Sequence, residues 1–123
     1  MSYPAMTVFT FGVYALCLAS ALMIAPNVLL SLVRVASTSE VWIRVVGMLL
    51  LFLGTYYILA ARSELAQFFR WTVWMRMCVV AIFGVFVVLG LGPPVLLLFG
   101  MVDFAMAAWT WVAIRKVASP GVN

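Results

Sequence analysis

An all-α integral membrane fold, a four-helix bundle with its N and C termini cytoplasmic, is what this sequence predicts, and three observations predict it. Of 123 residues, 68% are hydrophobic and only 8% are charged, with a mean hydropathy of +1.27; a soluble domain keeps about a quarter of its residues charged. Four apolar stretches, at residues 5–24, 41–61, 68–89 and 94–114, have the length of about 20 residues that crosses a hydrocarbon core about 30 Å thick. The basic residues Arg62, Arg70, Arg115 and Lys116 all fall on one side of a four-span chain, leaving Arg34 and Arg44 for the other. By the positive-inside rule the richer side, which holds both ends, is cytoplasmic. The spans fill the chain, so residues 1–123 read as a single transmembrane domain.

The first span opens on MSYPAMT, which carries no Lys or Arg. A signal peptide begins with a positive segment, so this span is expected to be permanent. Pro26 and Asn27 end it. Residues 28–36 are apolar with one arginine and too short to cross, which suits an interfacial segment. Ser37 and Glu40 have the spacing of a capping box, in which the serine hydroxyl accepts from an early helix N–H while the glutamate reaches back, and this places the start of the second span. ARSELAQ, residues 61–67, is the most polar connection. GLGPP, residues 90–94, is a tight turn whose prolines can open the fourth helix, where no N–H is needed, so the third and fourth spans should form a close antiparallel hairpin.

Trp71 and Trp74 open the third span, Trp109 and Trp111 close the fourth, and Trp42 marks the opposite side. Indoles at these levels read as interface anchors. The net charge of +4 likewise reads as topology, and no nucleic-acid partner is expected.

Asp103 lies inside the fourth span, roughly 14 Å below its boundary at 1.5 Å per residue. A carboxylate there must be protonated, hydrated or paired. Arg76 in the third span and Arg44 in the second bracket its level, which predicts an intramembrane salt bridge. Helical projection puts Leu96, Gly100, Asp103, Ala107 and Thr110 on one stripe, Arg44, Gly47, Leu51, Thr55 and Ile58 on another, and Arg76 with Thr72, Val80 and Phe83 on a third. Gly47, Gly54, Gly100 and Ala107 allow helices to approach closely. Two readings stay open: a pair that fixes helix packing, or a polar chamber that binds a ligand or passes a proton. Two arginines to one aspartate would suit an anionic or carbonyl-bearing guest. Tyr56 and Tyr57 either donate to such a guest or hydrogen-bond across the bundle.

The chain has no histidine, which removes the usual haem ligand, the commonest zinc ligand and the favourite general base. Cys17 and Cys78 are isolated thiols in different spans, close enough in depth for a bridge to be conceivable, and the eight methionines show no regular spacing. No metal, cofactor or catalytic residue is expected.

Arg44-x-x-Gly47, GTYYILAAR (residues 54–62), FFRWTVWMR (68–76) and PVLLLFGMVDFAMAAWTW (94–111) give the chain a resemblance to the BphX-like small bacterial four-helix membrane proteins, related in layout to the broader DoxX-like group. The resemblance covers nearly the whole chain. It implies a multi-pass protein of the bacterial inner membrane, from a family without a securely assigned activity that accompanies catabolic or redox systems. Some DoxX-like relatives are linked to thiosulfate-quinone redox chemistry, but no catalytic motif of that branch occurs here.

The expected role is non-enzymatic: an accessory or ligand-binding protein of the inner membrane that holds a small amphipathic or anionic molecule between its helices. The alternatives are a small proton-coupled transporter that uses Asp103 and works as a homo-oligomer, and a quinone or sulfur redox protein. Expected partners are the lipid bilayer, further copies of the chain or a larger membrane complex.

Overall fold

The computed structural model describes residues 1–118. It contains five helices, α1 (Tyr3–Ile24), α2 (Pro26–Leu32), α3 (Trp42–Arg62), α4 (Ala66–Val88) and α5 (Val95–Ala118), and no strand among the described residues. By length and composition α1, α3, α4 and α5 could each cross a membrane. A helix therefore occupies each of the four expected apolar stretches, and α5 continues past residue 114. Helix α2 begins on Pro26, whose fixed φ and missing N–H suit a first helical turn, and stops at Leu32, so only part of segment 28–36 is helical.

Three helix ends close in the same way. Arg34 (φ 60°), Glu64 (φ 54°) and Gly90 (φ 74°) sit in the left-handed region just past α2, α3 and α4. The next N–H reaches back in each case, Val35 to Leu30 O at 2.8 Å, Leu65 to Ala60 O at 3.1 Å and Leu91 to Phe86 O at 2.8 Å. This is a Schellman closure. Glycine adopts it freely, whereas a Cβ there costs about 1–2 kcal/mol, partly offset because glycine loses about 0.5–1 kcal/mol more on folding. Arg34→Gly is accordingly expected to raise the thermal unfolding midpoint in detergent, by the equivalent of about 0.5–1 kcal/mol. An unchanged or lower midpoint would count against the strained closure.

The expected capping box does not form. The first carbonyl used by α3 is that of Val41, which accepts from Arg44 and Val45 N–H at 2.9 and 3.0 Å, so Ser37 lies too far upstream to cap the helix. Asn27 organises this loop instead: its Nδ2 donates to Thr38 O at 3.0 Å, its Oδ1 accepts from Thr38 N–H at 2.9 Å, and the Thr38 hydroxyl accepts from Glu40 N–H at 3.1 Å. One side-chain amide satisfies both backbone groups of Thr38.

The chain divides into two compact units, Phe9–Leu59 and Met1–Val8 with the chain from Ala60 onward. In the Phe9–Leu59 unit, α1 and α3 meet through small residues. A Cβ on Gly12 would stand 3.0 Å from the Gly54 carbonyl oxygen, and one on Gly54 would stand 3.0 Å from that of Gly12. One on Gly47 would stand 3.1 Å from the Ala19 carbonyl oxygen. Backbones packed this closely gain dispersion contacts that larger side chains would prevent.

In the other unit, α4 and α5 form the expected antiparallel hairpin, and Leu96 and Leu97 N–H donate to the Pro93 and Pro94 carbonyls at 3.1 and 3.0 Å. A Cβ on Gly100 would stand 2.9 Å from Val80 Cα, which sets the register of the pair. The first residues of α1 join this unit. The Ser2 hydroxyl accepts from Ala5 N–H at 3.3 Å as the helix N-cap, and Ser2 N–H and Oγ each donate to a Glu64 carboxylate oxygen at 2.6 Å. These bonds, led by the one from the Ser2 hydroxyl, hold the Glu64 pKa below its ordinary value. The carboxylate is therefore ionised at neutral pH and straps the N-terminus to the end of α3.

Candidate polar site

The charge buried most completely is Arg76, at 2% exposure, and its partners are threonines. Helical Cα–Cβ bonds tilt towards the helix N-terminus, so the side chain runs back along α4 to Thr72, one turn earlier. Its Nε donates to Thr72 O at 3.3 Å and its Nη2 to Thr72 Oγ1 at 3.2 Å. The same Nη2 donates across the hairpin to Thr110 Oγ1 at 2.9 Å. Thr110 Oγ1 lies 2.8 Å from the hydroxyl of Thr7 in α1. Thr7 and Thr110 are wholly buried and Thr72 nearly so.

The direction of these bonds follows from the donors available. A guanidinium only donates, so both threonine oxygens accept from it and each keeps one proton to give. The Thr72 hydroxyl is 3.0 Å from Phe69 O, and the Thr110 hydroxyl 3.2 Å from Met106 O. The Thr7 hydroxyl has two acceptors in reach, Pro4 O at 2.7 Å and Thr110 Oγ1. The positive charge is thus spread through hydroxyls onto helix carbonyls, and it ties together the start of α1, α4 and α5. Hydrogen bonds to an ionised group are the stronger kind, about 1.5–3 kcal/mol each.

Asp103 does not pair with this guanidinium, and the expected salt bridge is corrected here: none is found among the described residues. The two residues are on adjacent levels. Four residues back along α4 from Val80 is Arg76, and four forward along α5 from Gly100 is Phe104, next to Asp103. However, α4 and α5 are antiparallel, so the N-terminal tilt of each Cα–Cβ bond carries the two side chains towards opposite ends. Asp103 is left half-buried on its stripe between Gly100 and Ala107, both buried. The Arg76 charge still acts on it through space, but no described residue donates a hydrogen bond to its carboxylate.

The remaining predicted site residues belong to the Phe9–Leu59 unit. Arg44 donates from Nη1 to the carbonyl of Met23, in the last turn of α1, where a cation complements the helix dipole. Thr55 is exposed and gives its hydroxyl proton to Leu51 O at 2.8 Å. Tyr56 is 61% exposed and Tyr57 only 4%, with the Tyr57 ring centroid 5.1 Å from that of Phe11. Gly47 and Gly54 lie where α1 and α3 approach closely, Gly100 lies against Val80, and Ala107 is buried. Cys17 and Cys78 are free thiols, so no bridge joins them.

Trp42, Trp71 and Trp74 are well exposed, while Trp109 donates from Nε1 to the Tyr3 hydroxyl at 3.0 Å and Trp111 lies 4.6 Å beneath the Arg115 guanidinium. Ser2, Thr7 and Tyr3 are the contributors that the sequence reading missed. No protein-family model matches this chain, and neither a curated protein nor a solved structure matches it.

Proposed function

We propose that this chain is a non-enzymatic, multi-pass protein of the bacterial inner membrane, both ends cytoplasmic, that serves as an accessory or ligand-binding component with Asp103 as its recognition point. Membrane placement is supported by the four long apolar helices and by what they expose: Phe52, Leu53 and Leu59 on α3, Ile82 and Phe86 on α4, and Leu98 and Met101 on α5. Such surfaces promote association in water and are at home in lipid. Kinship with the BphX-like proteins belongs to the same proposal.

The observation that carries the recognition role is the Asp103 carboxylate, half-buried with no hydrogen-bond donor among the described residues. Ionisable groups at such depth mark ligand or ion sites. Because Arg76 is turned away to its threonines, the guest that fits is one that brings its own donor: an amphipathic molecule with a hydroxyl, amide or ammonium group, or a partner helix that presents one. This replaces the anionic preference that two inward arginines would have produced. A proton-coupled transporter is the second reading, since a carboxylate at this position can also exchange a proton.

Purification in mild detergent tests the proposal. A small molecule or a larger membrane complex should come away with the wild-type chain and be lost from Asp103→Leu, with no substrate-driven proton movement in proteoliposomes. Proton movement abolished by Asp103→Asn would select the transporter. A chain isolated alone and inactive in vesicles would end both readings, and release from membranes by alkaline carbonate would end the membrane placement itself.

A further inference from the structure

A groove of about 330 Å³ opens at the end of the unit that holds the N-terminus, lined by Ser2, Pro4, Glu64, Ala66, Phe69, Arg70, Ile114 and Val117. Its size is at the low end of small-molecule sites, about 300–1,000 Å³. Its character is mixed. Pro4, Ala66, Ile114 and Val117 make an apolar wall, with Phe69 buried behind it. Arg70 is the cation in the lining, and Arg62, Arg115 and Lys116 lie in the helix turns beside it. The one acidic lining residue, Glu64, has both carboxylate oxygens occupied by Ser2, and the chain's α-amino group offsets its charge.

We infer that this groove binds one anionic phospholipid, its phosphate against Arg70 and the upper part of an acyl chain along Ile114 and Val117. The inference rests on the membrane placement proposed above. That placement puts the groove at the cytoplasmic headgroup level, where the exposed Trp71 and Trp74 also lie. Charge complementarity selects the occupant: a basic rim attracts a net negative headgroup, at a gain of about fivefold in binding for each basic residue near the surface. Free phosphate fits poorly, because it would gain from the single lining cation and leave the apolar wall exposed. A phospholipid satisfies both surfaces at once.

Native mass spectrometry with titrated lipid tests this on the full chain in mild detergent. Phosphatidylglycerol should be retained as a single bound molecule and phosphatidylcholine should bind several-fold more weakly. Arg70→Gln should weaken phosphatidylglycerol binding about fivefold while Arg70→Lys preserves it. Val117→Trp, which fills the groove from an exposed position, should remove retention without shifting the lipid-free unfolding midpoint. Equal binding of the two lipids, unchanged retention in both Arg70→Gln and Val117→Trp, or displacement of the lipid by millimolar inorganic phosphate would overturn the site. Carbonate extraction of the same membranes keeps the two failures apart: a chain that stays in the pellet but shows no lipid preference refutes the groove alone.

Discussion

Thr110→Val is expected to lower unfolding stability by about 2–3 kcal/mol, a large effect for exchanging one hydroxyl for a methyl group. Valine matches threonine in shape, so no cavity opens and the loss is polar. Arg76 Nη2 would lose its partner across the hairpin while remaining buried, and the Thr7 hydroxyl would lose the oxygen 2.8 Å away. A buried charge that loses one of its acceptors has less to offset its desolvation, even though the bonds to Thr72 remain. Thr55→Val is the matched control, since that hydroxyl is exposed and only returns a bond to its own helix. It should change stability by no more than about 0.5 kcal/mol. Reversible unfolding in mixed detergent micelles, followed by tryptophan fluorescence, gives both numbers. If the two substitutions cost the same, the threonine knot is not what holds the hairpin to α1.

Asp103→Leu is expected to do the reverse, leaving stability unchanged or slightly higher while reducing retention of the guest or partner proposed above at least tenfold. No hydrogen bond from the described residues ends on the carboxylate, so none is lost, and a half-buried anion is exchanged for an apolar side chain. Asp103→Asn keeps the shape and one carbonyl acceptor, so it should retain a measurable fraction of binding. Had Asp103 been the counterion of Arg76, removing it would have stranded a buried charge at a cost of about 3–5 kcal/mol. Stability and guest retention measured on the same preparation therefore separate a recognition residue from a structural one.

The four long helices could be read directly, because about 20 apolar residues in a row admit few other interpretations. The packing stripe of α5 could be read too: Gly100, Ala107 and Thr110 are buried at the positions helical projection assigns, with Asp103 half-buried among them. The failure at the polar centre was one of direction. Rise per residue brackets the level of Asp103 with Arg76 and Arg44, and packing brings Arg76 to the adjacent level, but level says nothing about where side chains lead. The N-terminal tilt of Cα–Cβ bonds in antiparallel helices parts them.

That same tilt points Arg76 at Thr72, which had been placed on its face, and at Thr110, which had been grouped with the aspartate. A threonine in an apolar helix, as Thr7 is, attracts no attention; its signal is level, since Thr7 and Thr72 lie near the starts of α1 and α4 and Thr110 in the second half of α5, which runs antiparallel to α4. Tyr56 and Tyr57 could not be told apart without the phase of α3. The glycines at 47 and 54 carry that phase: they face α1, and Tyr57 falls closer to their side than Tyr56 does. The loop before α3 was misread because a capping-box spacing competes with side-chain clamps from distant residues such as Asn27, which local sequence does not announce.

A pair of double-mutant cycles on unfolding stability is the most direct measurement. One combines Arg76→Leu with Thr110→Val and the other combines Arg76→Leu with Asp103→Leu. A guanidinium held by threonines predicts a coupling of about 1.5–2 kcal/mol in the first cycle and less than about 0.5 kcal/mol in the second. The opposite order, with the arginine coupled mainly to the aspartate, would contradict the account.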